Sequence, residues 1–372
     1  MLCRIRTIDA HTAGEPLRLV VDGFPTPAGQ TMQEKRAWLK KHADALRGGL
    51  LLEPRGHTDM YGALLTEPVS AGADAGLLFM HNEGYSTMCG HATIAVTTIA
   101  LERHLLRPKR EDEIVFDSPA GLVRARPRIE PRPAAGAEPG RPVPGGAGPP
   151  SGGAGMGLDD ARAALADRAG APGVRVSSVA FTNVPSFVYE AGVTVRLQTR
   201  AVRADVAFAG AFYAIVDAET AGLPIETASL PDLRRIGMEI KRAVQATRAV
   251  VHPLDPGLCG LHGTIFVGPA HSAGADLRTV TVFADGQVDR SPCGTGTAAV
   301  LAVLDAMSLL PASRALVQES LIGTVFRARV IGRETVGGYD AIVPEIEGSA
   351  WITGEHEFLI DDDDPFREGF RV

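Results

Sequence analysis

An internal repeat limits what this chain can fold into. Cys89-Gly90-His91-Ala92-Thr93-Ile94-Ala95 and, 204 positions later, Cys293-Gly294-Thr295-Gly296-Thr297-Ala298-Ala299 both read C-G-x-x-T-x-A. Each copy runs into an apolar segment, Ile94 to Leu101 and Ala298 to Leu304. Helices apolar around their whole circumference belong in a core. The spacing therefore predicts two buried helices, each entered through a Cys-Gly turn. A chain of 372 residues is long enough for two domains with substantial cores.

A cysteine at a helix start has chemical consequences. The free N–H groups and positive dipole end favour the thiolate over the thiol. The same N–H groups can hold a carboxylate. Glycine after each cysteine removes the Cβ that would crowd a ligand approaching the backbone. One carboxylate gripped between two helix ends, with a thiol on either side, suits proton transfer at the adjacent α-carbon: one face loses a proton and the other regains one. A single buried cysteine is ordinarily inert packing, and Cys3 and Cys259 read that way or as surface thiols. Two cysteines in matching contexts are harder to explain as packing.

Other chemistries fit less well. Gly294-x-Gly296-x-x-Ala299 touches the dinucleotide fingerprint, but Asp289-Arg290-Ser291-Pro292 precedes it where a strand should stand, and no Walker lysine follows. Cys89, His91, His57 and Asp59 lack the paired spacing of zinc sites, so no metal site is expected there. The net charge of -7 is spread along the chain, with no basic stripe and interleaved aromatics, which argues against a nucleic-acid partner. The opening residues carry charge where a signal peptide would be apolar, and Asp305 breaks the longest apolar stretch short of a membrane span. Four cysteines without a CxxC form no disulfide framework. A cytoplasmic protein with reduced cysteines and no membrane partner is expected.

Along the chain, 16 of the 27 residues from Pro131 to Gly157 are Pro or Gly, too few apolar groups to offset ordering entropy, so a disordered surface insertion is expected. A short helix is expected over Asp159 to Arg168. Strand patterns recur at Leu17–Val21, Leu77–Met80, Ile114–Phe116, Leu122–Ala125, Phe187–Tyr189, Ala211–Val216, Thr279–Phe283 and Ala341–Val343. Amphipathic helices are expected over Thr31 to Leu46, with Lys35, Lys40 and Lys41 off the apolar side, and within Leu230 to Val251. The class is α+β, with more strand than helix.

Taken in series, these residues resemble the proline racemase family of the diaminopimelate epimerase-like superfamily. The likeness runs through Asp9-Ala10-His11-Thr12-Ala13-Gly14-Glu15-Pro16, Glu53-Pro54-Arg55-Gly56-His57, Asp59-Met60-Tyr61-Gly62-Ala63 and His81-Asn82-Glu83-Gly84-Tyr85 to Met88-Cys89-Gly90-His91. It continues at Asn183-Val184-Pro185-Ser186-Phe187, Gly210-Ala211-Phe212-Tyr213-Ala214 and, most specifically, Asp285 to Gly296. The resemblance implies two pseudo-symmetric domains, each a curved sheet around a central helix, with the active site in the cleft between them. The expected division is residues 1–180, carrying the insertion, then 181–354, with 355–372 returning to the first domain. It further implies catalysis without pyridoxal phosphate or metal, a small-molecule substrate (proline or a hydroxyproline) and a homodimer. By position, Cys89 and Cys293 would be the two bases. Gly90, His91, Gly294 and Thr295 would face the substrate carboxylate, and Asp289 with His91 the ring amine. Tyr61 and Phe283 would wall the ring, although core packing explains those two as well.

One departure bears on the reaction. The His81 to Cys89 run and the tail Ile360 to Phe366 look like the trans-3-hydroxy-L-proline dehydratase branch, which typically has threonine at the second catalytic position. This chain has Cys293 there. A dehydratase needs one base and no reprotonation from the far face, whereas a second thiol supplies that reprotonation. Inversion at Cα is the expectation, with dehydration as its alternative. A thiol hydrolase or redox protein would leave the second cysteine unexplained, and a non-catalytic binding protein would need neither thiol.

Overall fold

The first two strands, β1 (Leu2–Thr12) and β2 (Glu15–Asp22), form a hairpin whose two-residue turn holds Ala13 and Gly14 at φ 51° and 94°. Such turns match the right-handed twist of the strands they join. The structure, a computed structural model, describes residues 2–131, 174–311 and 314–371. The expected insertion, apart from Pro131, and the helix expected over 159–168 lie outside the described residues.

The first half continues with α1 (Met32–His42), α2 (Asp44–Leu51), β3 (Tyr61–Thr66), β4 (Ala75–His81), β5 (Gly84–Ser86), α3 (Gly90–Glu102), β6 (Ile114–Ser118), β7 (Gly121–Pro131) and β8 (Val174–Thr182). The second half comprises β9 (Ser186–Arg196), β10 (Ala201–Phe208), β11 (Phe212–Asp217), α4 (Leu230–Thr247), β12 (Leu261–Pro269), β13 (Leu277–Phe283), β14 (Gln287–Asp289), α5 (Gly294–Ala306), β15 (Leu316–Glu319), β16 (Val325–Val336) and β17 (Tyr339–Gly348). A last strand, β18 (Ala350–Asp361), returns to pair antiparallel with β1 from Thr12 opposite Ala350 to Leu2 opposite Asp361. All eight strand patterns read from the sequence fall on strands. The single amphipathic helix expected over Thr31 to Leu46 is instead two, because Ala43 leaves helical geometry at φ −133°. Asp44 then opens α2 and pairs with Arg47 at 2.7 Å. Lys35, expected on the polar side, is buried and donates to the Glu67 carbonyl at 2.6 Å.

The repeat extends to the whole topology. In the first unit β18–β1–β2 are antiparallel, β2–β3 parallel, β3–β4–β5 antiparallel, β4–β6 parallel and β6–β7–β8 antiparallel. The series β9–β10–β11, β11–β12, β12–β13–β14, β13–β15 and β15–β16–β17 repeats those senses. β17 joins the units through β8. Acids that accept from backbone amides repeat too. Asp74 accepts from Val115 N at 2.7 Å as Asp276 does from Val317 N at 2.8 Å. Asp117 holds the Val69 and Ser70 N–H groups as Glu319 holds those of His271 and Ser272. The molecule is thus α+β with two pseudo-symmetric units, each curved around one central helix.

The central helices α3 and α5 are buried from Gly90 to Leu101 and from Gly294 to Val303. Each Leu, Ile or Val they bury contributes about 1.5–3 kcal/mol. Threonines survive inside α3 because each hydroxyl donates one turn back: Thr93 to the Cys89 carbonyl, Thr97 to Thr93 and Thr98 to Ile94, at 2.7–2.9 Å. The two helices meet at their N-termini. A Cβ on Gly90 would lie 2.7 Å from the Gly294 Cα, and one on Gly294 equally close to the Gly90 Cα, with the Phe181 ring against both. Backbone cannot yield there as a side chain would. Alanine at either position is expected to cost about 1–3 kcal/mol by overpacking, against at most about 1 kcal/mol of helix propensity in its favour. Urea unfolding of Gly90→Ala and Gly294→Ala measures that loss; stability equal to or above the parent would refute the contact.

Candidate active site

Cys89 and Cys293 are the N-cap residues of α3 and α5. The meeting of Gly90 and Gly294 puts the two helix starts side by side, with both cysteines buried at 6 % and 7 % exposure. The first N–H groups of a helix have no partner within it, so two sets of donors and two positive dipole ends converge here. The copies differ in how the chain arrives. Two residues separate β5 from Cys89, whereas Arg290, Ser291 and Pro292 separate β14 from Cys293. Cys89 is extended at φ −149°, while Cys293 sits in the left-handed region at φ 66°. Strained geometry of that kind for a non-glycine residue persists only when its surroundings fix it. Here the Ser291 hydroxyl accepts from Cys293 N at 3.1 Å, and Gln318 and Thr297 donate to the Pro292 carbonyl.

His91 stands beside Cys89 and faces Asp289. The Cys89 sulfur is 3.3 Å from His91 Nδ1, which is 3.9 Å from Asp289 Oδ2. The Ser291 N–H and hydroxyl both donate to Asp289 Oδ1, at 2.9 and 2.7 Å. Thr12 anchors the start of α3 by donating to the His91 carbonyl at 2.8 Å. The Tyr61 ring meets the His91 ring edge-on at a centroid distance of 4.7 Å. Gly90, His91, Asp289, Gly294, Thr295 and Tyr61 are therefore gathered about Cys89 and Cys293. Phe283 stands one step away: it stacks on His262 at 5.4 Å, which in turn meets Tyr213 edge-on at 5.6 Å.

Burial dominates the electrostatics. It pushes the Cys89 thiol well above its ordinary range, and the Ala92 N–H pulls the other way. It pushes the Cys293 thiol up likewise, helped by the Asp289 charge and opposed by the Gly296 N–H. Asp289 is pushed up to about 6 by burial, against its Ser291 hydrogen bonds. Glu15, fully buried and accepting from Arg290 N at 2.7 Å, is raised by burial and by the Asp289 charge. Burial alone holds His91 down at about 3; His81, also facing His262, is at about 3, and His262 at about 4.

Several residues here escaped the sequence reading. Tyr213, Ser291, His81 and Glu15 stood inside motifs with nothing to mark their side chains for this site, and His262 lay outside every motif and strand pattern. Ser291 alone had a usable signal, lying two positions from both Asp289 and Cys293. A cavity of about 280 Å³, lined in part by His81, Ser86, Met88, Lys241 and His262, adjoins the cleft.

The proline racemase family profile matches residues 7–135 and 149–371. The chain is 41 % identical over 365 residues to a trans-3-hydroxy-L-proline dehydratase of Bacillus cereus, covering 98 % of this chain and 97 % of that one. It is 38 % identical over 370 residues to a 3-hydroxyproline 2-epimerase of Burkholderia multivorans, covering 99 % and 98 %. A crystal structure of a hydroxyproline epimerase from Agrobacterium vitis, with trans-4-hydroxy-L-proline bound, superposes with a TM-score of 0.81 at 29 % identity, covering all of this chain and 95 % of that one.

The three neutral imidazoles predict a pH dependence of stability. Their folded values lie below the unfolded 6.5, so the unfolded chain takes up protons first and stability is lost as pH falls from 6.5 toward 4. Asp289, raised from 3.8, acts with the opposite sign between about 4 and about 6 and softens that loss. Urea midpoints are expected to drop from pH 6.5 to 5, and less steeply in His262→Phe. An unchanged slope in that variant would contradict a buried, neutral His262.

Proposed function

The chain belongs to the proline racemase family, a family of racemases, epimerases and dehydratases, and on that premise we propose that it inverts Cα of proline or a hydroxyproline by proton transfer between Cys89 and Cys293. One observation carries this reading: a second thiol stands at the matching helix start, beside the first, where a proton can be returned to the opposite face of a substrate held between them. The substrate carboxylate would take the N-terminal amides of α3 and α5, around Gly90, His91, Gly294 and Thr295. Its ring amine would face Asp289 and His91. With His91 neutral, Asp289 would be the anionic partner of a protonated amine. The thiolate of one cysteine removes the Cα proton while the thiol of the other delivers one, so the two exchange protonation states in each turnover. Such chemistry needs free thiols, which fits a reducing compartment such as the cytoplasm.

A specific observation favours a second reading, dehydration of trans-3-hydroxy-L-proline: the similarity to an enzyme of that name is as extensive as the similarity to the epimerase. In that case the Cys89 thiolate would remove the Cα proton and the resulting thiol would return it to the 3-hydroxyl, which leaves as water, with Cys293 idle as a far-face acid.

Incubation with L-proline and hydroxyprolines in deuterated water, followed by NMR and chiral chromatography, separates the two. Inversion with α-deuterium incorporation is expected, reduced about 10²–10⁴-fold in both Cys89→Ser and Cys293→Ser. A ring imine from trans-3-hydroxy-L-proline, with no D-isomer from any substrate, would replace inversion by dehydration. Because one sulfur must be ionised and the other protonated, inversion should show a bell-shaped pH profile. Flat activity across the thiol range would count against two sulfurs.

A further inference from the structure

The two units depart from each other at two places beside the thiols, and the departures touch. In the first unit Thr12 to Glu15 stand between the paired His11 and Pro16, whereas only Ala209 to Ala211 stand between Phe208 and Phe212 in the second. The connector into Cys293 is likewise one residue longer than the connector into Cys89. The longer turn of the first unit lies against the longer connector of the second. Glu15, fully buried, accepts from the Arg290 N–H at 2.7 Å, and the Arg290 guanidinium stands 3.6 Å from the same carboxylate. A Cβ on Gly14 would sit 3.9 Å from the Arg290 Cβ. Thr324 of the second unit donates to the Ala13 carbonyl at 2.8 Å and fixes the turn there. Nothing equivalent reaches the Cys89 connector. The matching acids Asp74 and Asp276 make Gly62 the counterpart of Thr264, and strand register then makes Arg18 the counterpart of Ala214. Three residues earlier, where the first unit has Glu15, the second has Ala211.

We infer that Glu15 is a positioning residue for Cys293: a carboxylate of the first unit holds the connector of the second on the path that delivers Cys293 with left-handed backbone. The other restraints on this connector come from its own unit. Ser291 accepts from Cys293 N and donates to Asp289, while Gln318 and Thr297 donate to the Pro292 carbonyl. Glu15 adds the grip of the unit that carries Cys89, with Asp59 of that unit 4.0 Å from the Arg290 guanidinium. A hydrogen bond to a charged acceptor is among the stronger ones, and burial keeps water from competing for it. A non-glycine residue at φ 66° persists only while its surroundings over-determine it. With the Arg290 amide released, the connector is free to relax toward the extended backbone that Cys89 adopts at φ −149°. Cys89 needs no such clamp, because extended backbone is open to any residue. On the two-thiol reading, on which this inference rests, the sulfur of one unit is thus aimed by a side chain of the other.

Alkylation by iodoacetamide, with modified peptides identified by mass in the full-length protein, follows the two thiols separately. In Glu15→Ala the ratio of Cys293 to Cys89 alkylation rates is expected to rise about tenfold, since loss of a charged hydrogen bond loosens one connector only. Inversion kcat should fall about 10²-fold with KM changed far less. In deuterated water, α-deuterium exchange without inversion should appear for one enantiomer and not for the other, because only Cys89 still reaches its face of Cα. Glu15→Gln, which keeps an acceptor for the Arg290 amide, should recover most of the loss. An unchanged alkylation ratio in folded Glu15→Ala, or exchange and inversion falling together for both enantiomers, overturns the proposal. Where Glu15→Ala fails to fold, Glu15→Asp keeps the charge and shortens its reach by one methylene. It should raise the ratio by a smaller factor, and an unmoved ratio there is equally fatal. A raised ratio in a protein that inverts no proline derivative would uphold the placement of Cys293 and sink the functional reading instead.

Discussion

Two helices meeting head to head at Gly90 and Gly294 set the terms for everything around them. Like ends of two dipoles repel, and their free N–H groups are desolvated where they meet. An anion between them relieves both penalties. The fold therefore carries an unfavourable contact that a carboxylate ligand would make favourable, and the pseudo-symmetric units fix it in place. Because the contact is between backbones, it also fixes the two N-cap sulfurs relative to one another with little freedom to drift.

Burial follows from that contact and sets the chemistry. The cleft that brings the sulfurs together excludes the water that would otherwise stabilise their ionised forms. The same burial keeps His91 neutral and lifts Asp289 toward 6, leaving the carboxyl as the anionic member of that pair above this value. Hydroxyls and helix amides are the donors that remain for a thiolate. Glu15 and Asp59 of the first unit meet Arg290 and Arg234 of the second, so the walls of the cleft are tied across it.

Much of this could be read in the chain itself. The repeated Cys-Gly start identified both central helices because a segment apolar on every side has nowhere to go but a core. Short β-rich runs punctuated by Gly and Pro marked the strands. Neither pattern carries information about which strands lie side by side, so Tyr213, 82 positions before Thr295, could not be placed against its hydroxyl. Likewise nothing local signals that Gly90 and Gly294 touch: glycine at a helix start is common, and only the assembled units show why a Cβ is forbidden. The break at Ala43 went unseen because alanine is the strongest helix former. There, the pairing of Asp44 with Arg47 in a new first turn outweighed propensity.

The left-handed backbone at Cys293 has a bearing on how such enzymes can change. A β-branched residue is a far worse occupant of that region than cysteine or serine. Threonine at this position, as the dehydratase branch is expected to have, would require a differently shaped approach from β14. The path between two chemistries on this scaffold would then run through the three-residue connector Arg290-Ser291-Pro292 before it reached the reactive side chain. A one-codon exchange at 293 alone would land on a backbone built for something else.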